Sequence, residues 1–159
     1  MKPATPVDGA PDPSAELVAT CAAILAGPMR DVPILNPRLA VEAVGFQRLG
    51  PAWFGVLVTP WFINLVLVPD AAPAVPAGSA VAFDLPCGRL EFLHARLGAR
   101  SVLACSLLSP VPPDFDAAAA RAGALAALDA VLVPPAPPLP AARAPLSRRE
   151  LLFGRGAGA

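Results

Sequence analysis

Tyrosine is absent from this chain, histidine occurs once as His94, and lysine occurs once as Lys2. Each scarcity removes a class of function. Aromatic residues make up 6% of the sequence and the formal net charge is zero. A nucleic-acid binder needs accumulated positive charge and stacking platforms, so nucleic acid is excluded as a partner. The three cysteines, Cys21, Cys87 and Cys105, are an odd number with no CxxC pair. Neither a disulfide framework nor a zinc ribbon follows from them, and reduced thiols are expected. No long uninterrupted hydrophobic run is present. The longest apolar stretch, Trp53 to Val68, is broken by Pro60 and Asn64 and falls short of the roughly 20 residues a membrane helix requires. It reads as two buried strands around a turn, with no stable membrane insertion. Met1 to Pro13 has no apolar segment behind Lys2, so no targeting peptide is read there and a cytoplasmic location is expected.

What the chain does have is apolarity, with 55% hydrophobic against 15% charged residues. That balance indicates one folded domain with a real core. The 22 prolines and the abundant alanine reflect a compositional bias and carry less meaning individually. Residues 1–13 are expected to be disordered. Asp12-Pro13-Ser14 then opens a helix that Gly27-Pro28 ends, with an apolar stripe of Leu17, Val18, Cys21, Ile24 and Leu25. After a proline-containing loop the period changes to that of strands, at Val41–Leu49, Trp53–Val58, Ile63–Val68, Val81–Leu85, Leu90–Leu97 and Val102–Leu107. Leu97-Gly98-Ala99-Arg100 is a hairpin turn, and links this short make antiparallel neighbours. A second, alanine-rich helix is predicted over Phe115–Leu132. Asp114 or Asp116 caps it, and Phe115, Ala118, Ala122, Leu125, Leu128 and Leu132 form its stripe. The fold class is therefore α+β: one domain over residues 14–133, a mostly antiparallel sheet of five to six strands flanked by two helices. Residues 134–159 form a proline-rich linker and a basic tail carrying Arg143, Arg148, Arg149 and Arg155.

Catalytic chemistry finds little support. His94 lacks an evident nucleophile, and the carboxylates are scattered without forming an acid–base pair. Cys87, His94 and Cys105 would meet only if neighbouring strands brought them together; a small metal carrier is the alternative they leave open. Gly154, Gly156 and Gly158 have no strand before them and no helix after, as a phosphate loop would require. No catalytic residue, metal ligand or cofactor site is assigned. Thr59-Pro60-Trp61-Phe62, in contrast, sets two large aromatics beside a turn, with Asn64 interrupting the strand behind them. Strand alternation sends neighbours to opposite faces, so one aromatic is expected in the core and the other as an anchor for a protein partner. A generic binding module would use the same feature.

Four blocks, in order, carry a resemblance. Leu57-Val58-Thr59-Pro60-Trp61-Phe62-Ile63-Asn64 is similar to the TPWF-hydrophobic-Asn signature of the HybE/HupJ family of nickel–iron hydrogenase accessory proteins. Phe83-Asp84-Leu85-Pro86-Cys87-Gly88 with Leu90-Glu91-Phe92, then Cys105-Ser106-Leu107-Leu108-Ser109-Pro110, resemble its following blocks. Leu146-Ser147-Arg148-Arg149-Glu150-Leu151-Leu152-Phe153-Gly154 resembles its closing Ser-Arg-Arg motif. The resemblance implies an assembly chaperone rather than an enzyme. It would bind hydrogenase subunit precursors in the cytoplasm and delay twin-arginine export until cofactors are in place. Some related proteins carry a rubredoxin module, whose paired CxxC motifs this chain lacks.

The residues assigned to partner binding are Thr59, Pro60, Trp61, Phe62, Asn64, Arg148, Arg149, Leu152 and Phe153. The last four belong to a tail that reads like a twin-arginine signal at the wrong end of a chain. Two roles stand for it: docking of Leu151, Leu152 and Phe153 on the domain, or mimicry of a client's signal in the client's own groove.

Overall fold

Helix α1 spans Ser14–Ala26, the interval set by the Pro13 start and the Gly27-Pro28 stop. The computed structural model describes residues 9–134, in the order α1, six strands, α2. Pro13 occupies the N-cap and not the first helical position, so no side chain caps α1. Asp12 Oδ1 accepts instead from the Ser14 N–H at 2.8 Å. Leu17 and Cys21 are fully buried, while Val18, Ile24 and Leu25 are half-buried. Gly9–Pro13 fell within the segment expected to be disordered; it has no helix or strand, yet it is anchored. Trp53 Nε1 donates to the Ala10 carbonyl at 2.7 Å and Pro13 is buried.

The strands are β1 (Glu42–Leu49), β2 (Ala52–Val58), β3 (Ile63–Pro69), β4 (Ala80–Leu85), β5 (Gly88–Leu97) and β6 (Arg100–Leu108). They form one six-stranded sheet in the order β1-β2-β3-β6-β5-β4. Every neighbouring pair is antiparallel, as the short connections require for all but β3–β6. Two meanders, β1-β2-β3 and β4-β5-β6, thus meet at a single seam where Leu65 pairs with Cys105 and Leu67 with Leu103. Gly98, at φ 60°, takes the first of the two positions between Leu97 and Arg100, where a tight hairpin needs a positive φ.

Strands β2 and β3 are buried along nearly their whole length because both faces of the sheet are covered. On one face Phe54, Val56, Leu65, Leu67, Phe92 and Leu103 pack beneath helix α2 (Ala117–Leu132). On the other, Leu57, Val66, Val68 and Val102 pack against Leu17 and Cys21 of α1. Each such side chain taken fully out of water contributes roughly 1.5–3 kcal/mol, far more than helix propensity supplies per residue. The sheet therefore organises the domain and the helices cover it.

Helix α2 corrects the expected stripe. It starts at Ala117, with Asp116 Oδ1 accepting from the Ala119 N–H at 2.7 Å. Its buried residues are Ala120, Ala124 and Leu128, whereas Ala118 and Ala122 are exposed and Leu125 is 47% exposed. Alanine recurs so often here that periodicity does not choose a face; packing on the sheet does, with Ala120, Ala124 and Leu128 against it.

Candidate functional site

Three segments without a single charged residue, 32–37, 59–63 and 108–113, come together at one end of the sheet. The centre of this region is the turn between β2 and β3. Thr59 is fully buried, and its backbone N–H donates to the Phe62 carbonyl at 2.8 Å. Its Oγ1 accepts from the N–H groups of Phe62 at 2.9 Å and Trp61 at 3.3 Å, and donates to the Phe62 carbonyl at 3.0 Å. One threonine side chain thus closes the turn on itself, the local competition with strand pairing that Ser and Thr are suited to. Pro60 is buried beside it.

The turn changes the fate of the two aromatics. The strands stop at Val58 and resume at Ile63, so Trp61 and Phe62 escape strand alternation. Both are half-buried and both pack against the same apolar cluster beneath α1. Their rings meet edge to face, with centroids 5.5 Å apart and planes at 75°. The expected division into one core and one exposed aromatic is replaced by a pair, each presenting part of its ring to solvent. Edge-to-face pairs of this kind are worth about 0.5–1.5 kcal/mol beyond area burial, which fixes the rings before any partner arrives.

Asn36 holds the surrounding loops, and nothing in its local sequence announces it. It is completely buried. Its backbone N–H donates to the Pro60 carbonyl at 2.8 Å. Its Nδ2 donates to the carbonyls of Pro112 and Phe115, both at 2.7 Å, and its Oδ1 accepts from the Arg38 N–H at 2.8 Å. One residue, through its backbone and side chain together, therefore joins the loop after α1, the β2–β3 turn and the segment leading into α2. Around it, Ile34 is 53% exposed and faces Pro110 and Pro112 across an apolar cleft of about 260 Å³. A second cleft, about 210 Å³, opens between β6 and α2, where Leu107 lies over Gly123 and Ala127. Leu107 reaches it because β6 bulges there: Ile63 pairs with Leu108 but Asn64 with Ser106, leaving Leu107 unpaired and 40% exposed.

Asn64 stands on the α1 side of the sheet, opposite Leu57 and Ser106. Its Oδ1 is enclosed with no hydrogen-bond partner among the described residues. Arg148, Arg149, Leu152 and Phe153 lie outside the described residues. The sequence missed Asn36, Ile34 and the proline-rich 110–113 segment. The signal that could have found them is their shared lack of charge next to the turn already singled out.

The thiols and the histidine lie apart from this end or in different settings. His94 is 6% exposed on β5; its Nδ1 lies 2.9 Å from the Val75 carbonyl, which only accepts, so Nδ1 carries the proton. Cys87 and Cys105 are half-buried and Cys21 is buried. Burial pushes the Cys21 thiol up to about 11, since desolvation disfavours the thiolate. Among the described residues no group of three or more His, Cys, Asp or Glu is placed to hold a metal ion. Cys87, His94 and Cys105 are therefore not assembled into a ligand set. No helix among the described residues is long and apolar enough to cross a membrane.

Comparison with known proteins adds the family to this geometry. Residues 12–154 match the family described as [NiFe]-hydrogenase assembly, chaperone, HybE. The chain is 40% identical over 134 residues to the hydrogenase expression/formation protein HupJ of Bradyrhizobium diazoefficiens, covering 79% of each chain. It is 40% identical over 136 residues to the hydrogenase expression/formation protein HoxT of Azotobacter vinelandii, covering 82% of this chain and 87% of that one. The solution structure of HybE from Escherichia coli superposes with a TM-score of 0.62 at 27% identity, covering 92% of both chains. The chain belongs to the HybE family of [NiFe]-hydrogenase assembly chaperones.

Proposed function

We propose that this chain binds precursors of nickel–iron hydrogenase subunits in the cytoplasm before their twin-arginine export, using the end of the domain around Trp61 and Phe62. The observation that carries the reading is the Thr59-closed turn, which presents two half-buried aromatics side by side on a loop without a charged residue. Large aromatics in rigid, water-poor surroundings dominate binding energy at protein interfaces. Apolar clefts also open at Ile34 and, on the α2 side of the sheet, at Leu107, and exposed apolar surface on a folded domain marks a partner site. Thr59 and Pro60 shape the turn, Asn64 lies on the strand behind it, and Arg148, Arg149, Leu152 and Phe153 are assigned to the same binding event through the tail.

The test is recovery of a hydrogenase precursor. A tagged form of this protein, purified from cells producing the hydrogenase, should retain an unprocessed subunit identified by mass spectrometry. Removal of that subunit's twin-arginine signal should weaken the association. Failure of any hydrogenase subunit to co-purify would overturn the reading, as would equal retention of processed and unprocessed forms.

A further inference from the structure

The two edges of the sheet are unequal. Edge strand β1 is guarded. It carries a bulge, since Val44 pairs with Val56 but Gln47 with Phe54. Gly45 there, at φ 64°, has no room for a Cβ, which would lie 2.4 Å from Leu128 Cδ1. Glu42 at its start is held by Arg121 of α2. Bulges and charges of this kind keep an edge from pairing with another chain.

Edge strand β4 has no bulge, and its one charge is Asp84 near its end, beside Arg89. Its pairing with β5 is regular from Ala80↔Leu93 to Leu85↔Gly88. The ladder bonds start at Ser79, whose carbonyl accepts from His94 N–H at 2.9 Å. They therefore fall on Ser79, Val81, Phe83 and Leu85, because antiparallel pairs alternate. The N–H and C=O groups of Ala80, Ala82 and Asp84 point away from β5, where no strand pairs with them among the described residues. The side chains of these three are exposed. Val81 and Phe83 point to the α2 side and are only half-buried.

We infer that β4 is an interface for a second copy of this chain, pairing antiparallel with its own counterpart about a two-fold axis at Ala82. The strand is self-complementary in that register and needs no other partner to be so. Residue numbers across the axis then sum to a constant: Ala82 faces Ala82 of the other copy, Ala80 faces Asp84, and Val81 faces Phe83. The outward N–H and C=O groups meet as ladder pairs. On the α2 side the register makes two Val–Phe cross-strand pairs, among the favourable combinations of β-branched and aromatic residues. On the opposite face no like charges meet. Asp84 sits across from an alanine and keeps Arg89 of its own chain at 3.7 Å. The two Glu91 side chains are separated by both Ala82 residues, a span of about 14 Å that exceeds the screening length of about 8–10 Å at physiological salt. Such a contact is isologous and closed. Six residues per strand bury less than the roughly 1,600 Å² of a standard interface, so the pairing is reversible and appears on concentration.

Sedimentation equilibrium of the full chain from micromolar to millimolar concentration should show a monomer–dimer equilibrium. Ala82→Lys places two ammonium groups opposite each other on the axis, and Ala82→Glu does the same with carboxylates. Each variant should be monomeric over that range, and an equimolar mixture of the two should form a heterodimer. Ala82 is exposed and its N–H is outside the β4–β5 ladder, so both variants should keep the wild-type circular dichroism. A wild-type chain that stays monomeric throughout overturns the inference, as does an Ala82→Lys variant that associates as wild type does. A variant pair whose mixture stays monomeric overturns the register. None of these outcomes depends on client binding, so the inference and the chaperone reading stand or fall separately.

Discussion

The backbone N–H of Asn36 donates to the carbonyl of Pro60 over 2.8 Å, while its side chain reaches carbonyls that are 76 and 79 residues further along the chain. The shape of the candidate binding surface therefore depends on a residue that is not part of that surface. Asn36→Ala removes the side-chain bonds and leaves the Pro112 and Phe115 carbonyls without that donor. It should lower stability by about 2–4 kcal/mol, the range for breaking a buried hydrogen-bond network. Urea unfolding measures this, and a change below the roughly 0.5 kcal/mol typical of surface positions would contradict the role given to Asn36.

At the surface itself, Trp61→Ala or Phe62→Ala should weaken client affinity by about 1–4 kcal/mol. Because both rings also pack on the α1 side of the core, a smaller loss of stability accompanies the loss of binding. Calorimetric titration with a hydrogenase precursor, corrected for the folded fraction, separates the two effects. Unchanged affinity per folded molecule would reduce the aromatic pair to core packing.

Much of the scaffold is legible in the sequence, and the reasons are local. Helix α1 is bounded by Pro13 and by Gly27-Pro28, which act within one turn of its ends. Strand β5 announces itself by alternation, β2 and β3 by short continuous apolar runs, and their ends by turn residues. Three things depended on the tertiary structure. The face of α2 was hidden by uniform alanine. The common orientation of Trp61 and Phe62 follows from Oγ1 of Thr59, not from strand periodicity. The partners of Asn36 are far away in sequence, so a buried amide among prolines gave no sign of them.

The thiols should differ sharply in reactivity. Cys21 is fully buried in α1 and its pKa is pushed up to about 11, so at neutral pH little thiolate exists and little reagent reaches it. A thiol reagent such as DTNB should label the half-buried Cys87 and Cys105 in the native protein and Cys21 only with unfolding. Cys21→Ser should lower stability by about 1–3 kcal/mol through a buried hydroxyl, and Cys105→Ser by less. Rapid native labelling of Cys21 would contradict the packing described. A stable Cys105→Ser protein that binds client yet fails in maturation would reveal thiol chemistry at that position.

Acid should loosen the α1 side first. The Arg100 guanidinium holds the Glu16 carboxyl below its ordinary range, and Arg48 does the same for Asp70. Both groups titrate lower in the folded than in the unfolded state. Their stabilisation is thus present above the unfolded values, near 4, and is lost as pH falls through the folded ones. Stability measured against pH should fall on acidification below about pH 4.5. Glu16→Gln should flatten that limb and leave the neutral-pH dependence unchanged. An identical acid limb in the variant would remove Glu16 from the account.

The tail yields the last expectation. If Ser147–Phe153 competes with the client's signal, its linker keeps its effective concentration high and even weak docking is felt. Removing Ser147–Ala159 should then tighten binding of a twin-arginine signal peptide. Arg148→Ala with Arg149→Ala should do the same while unfolding curves stay unchanged. Equal or weaker affinity after truncation would sink the competition.

The seam between β3 and β6 has a consequence for how the chain is born. The first meander, with β3 as its open flank, leaves the ribosome before the second meander exists. At about 5–20 residues per second, β6 follows β3 by roughly 2–9 seconds. During that interval Leu65 and Leu67 have a strand on one side only, and the later α2 is not yet available to cover them. The nascent protein therefore passes through a stage in which an apolar strand edge waits for its complement. Completion depends on contacts far apart in sequence, which form slowly. A helper of other proteins' assembly is, for those seconds, itself an unassembled client.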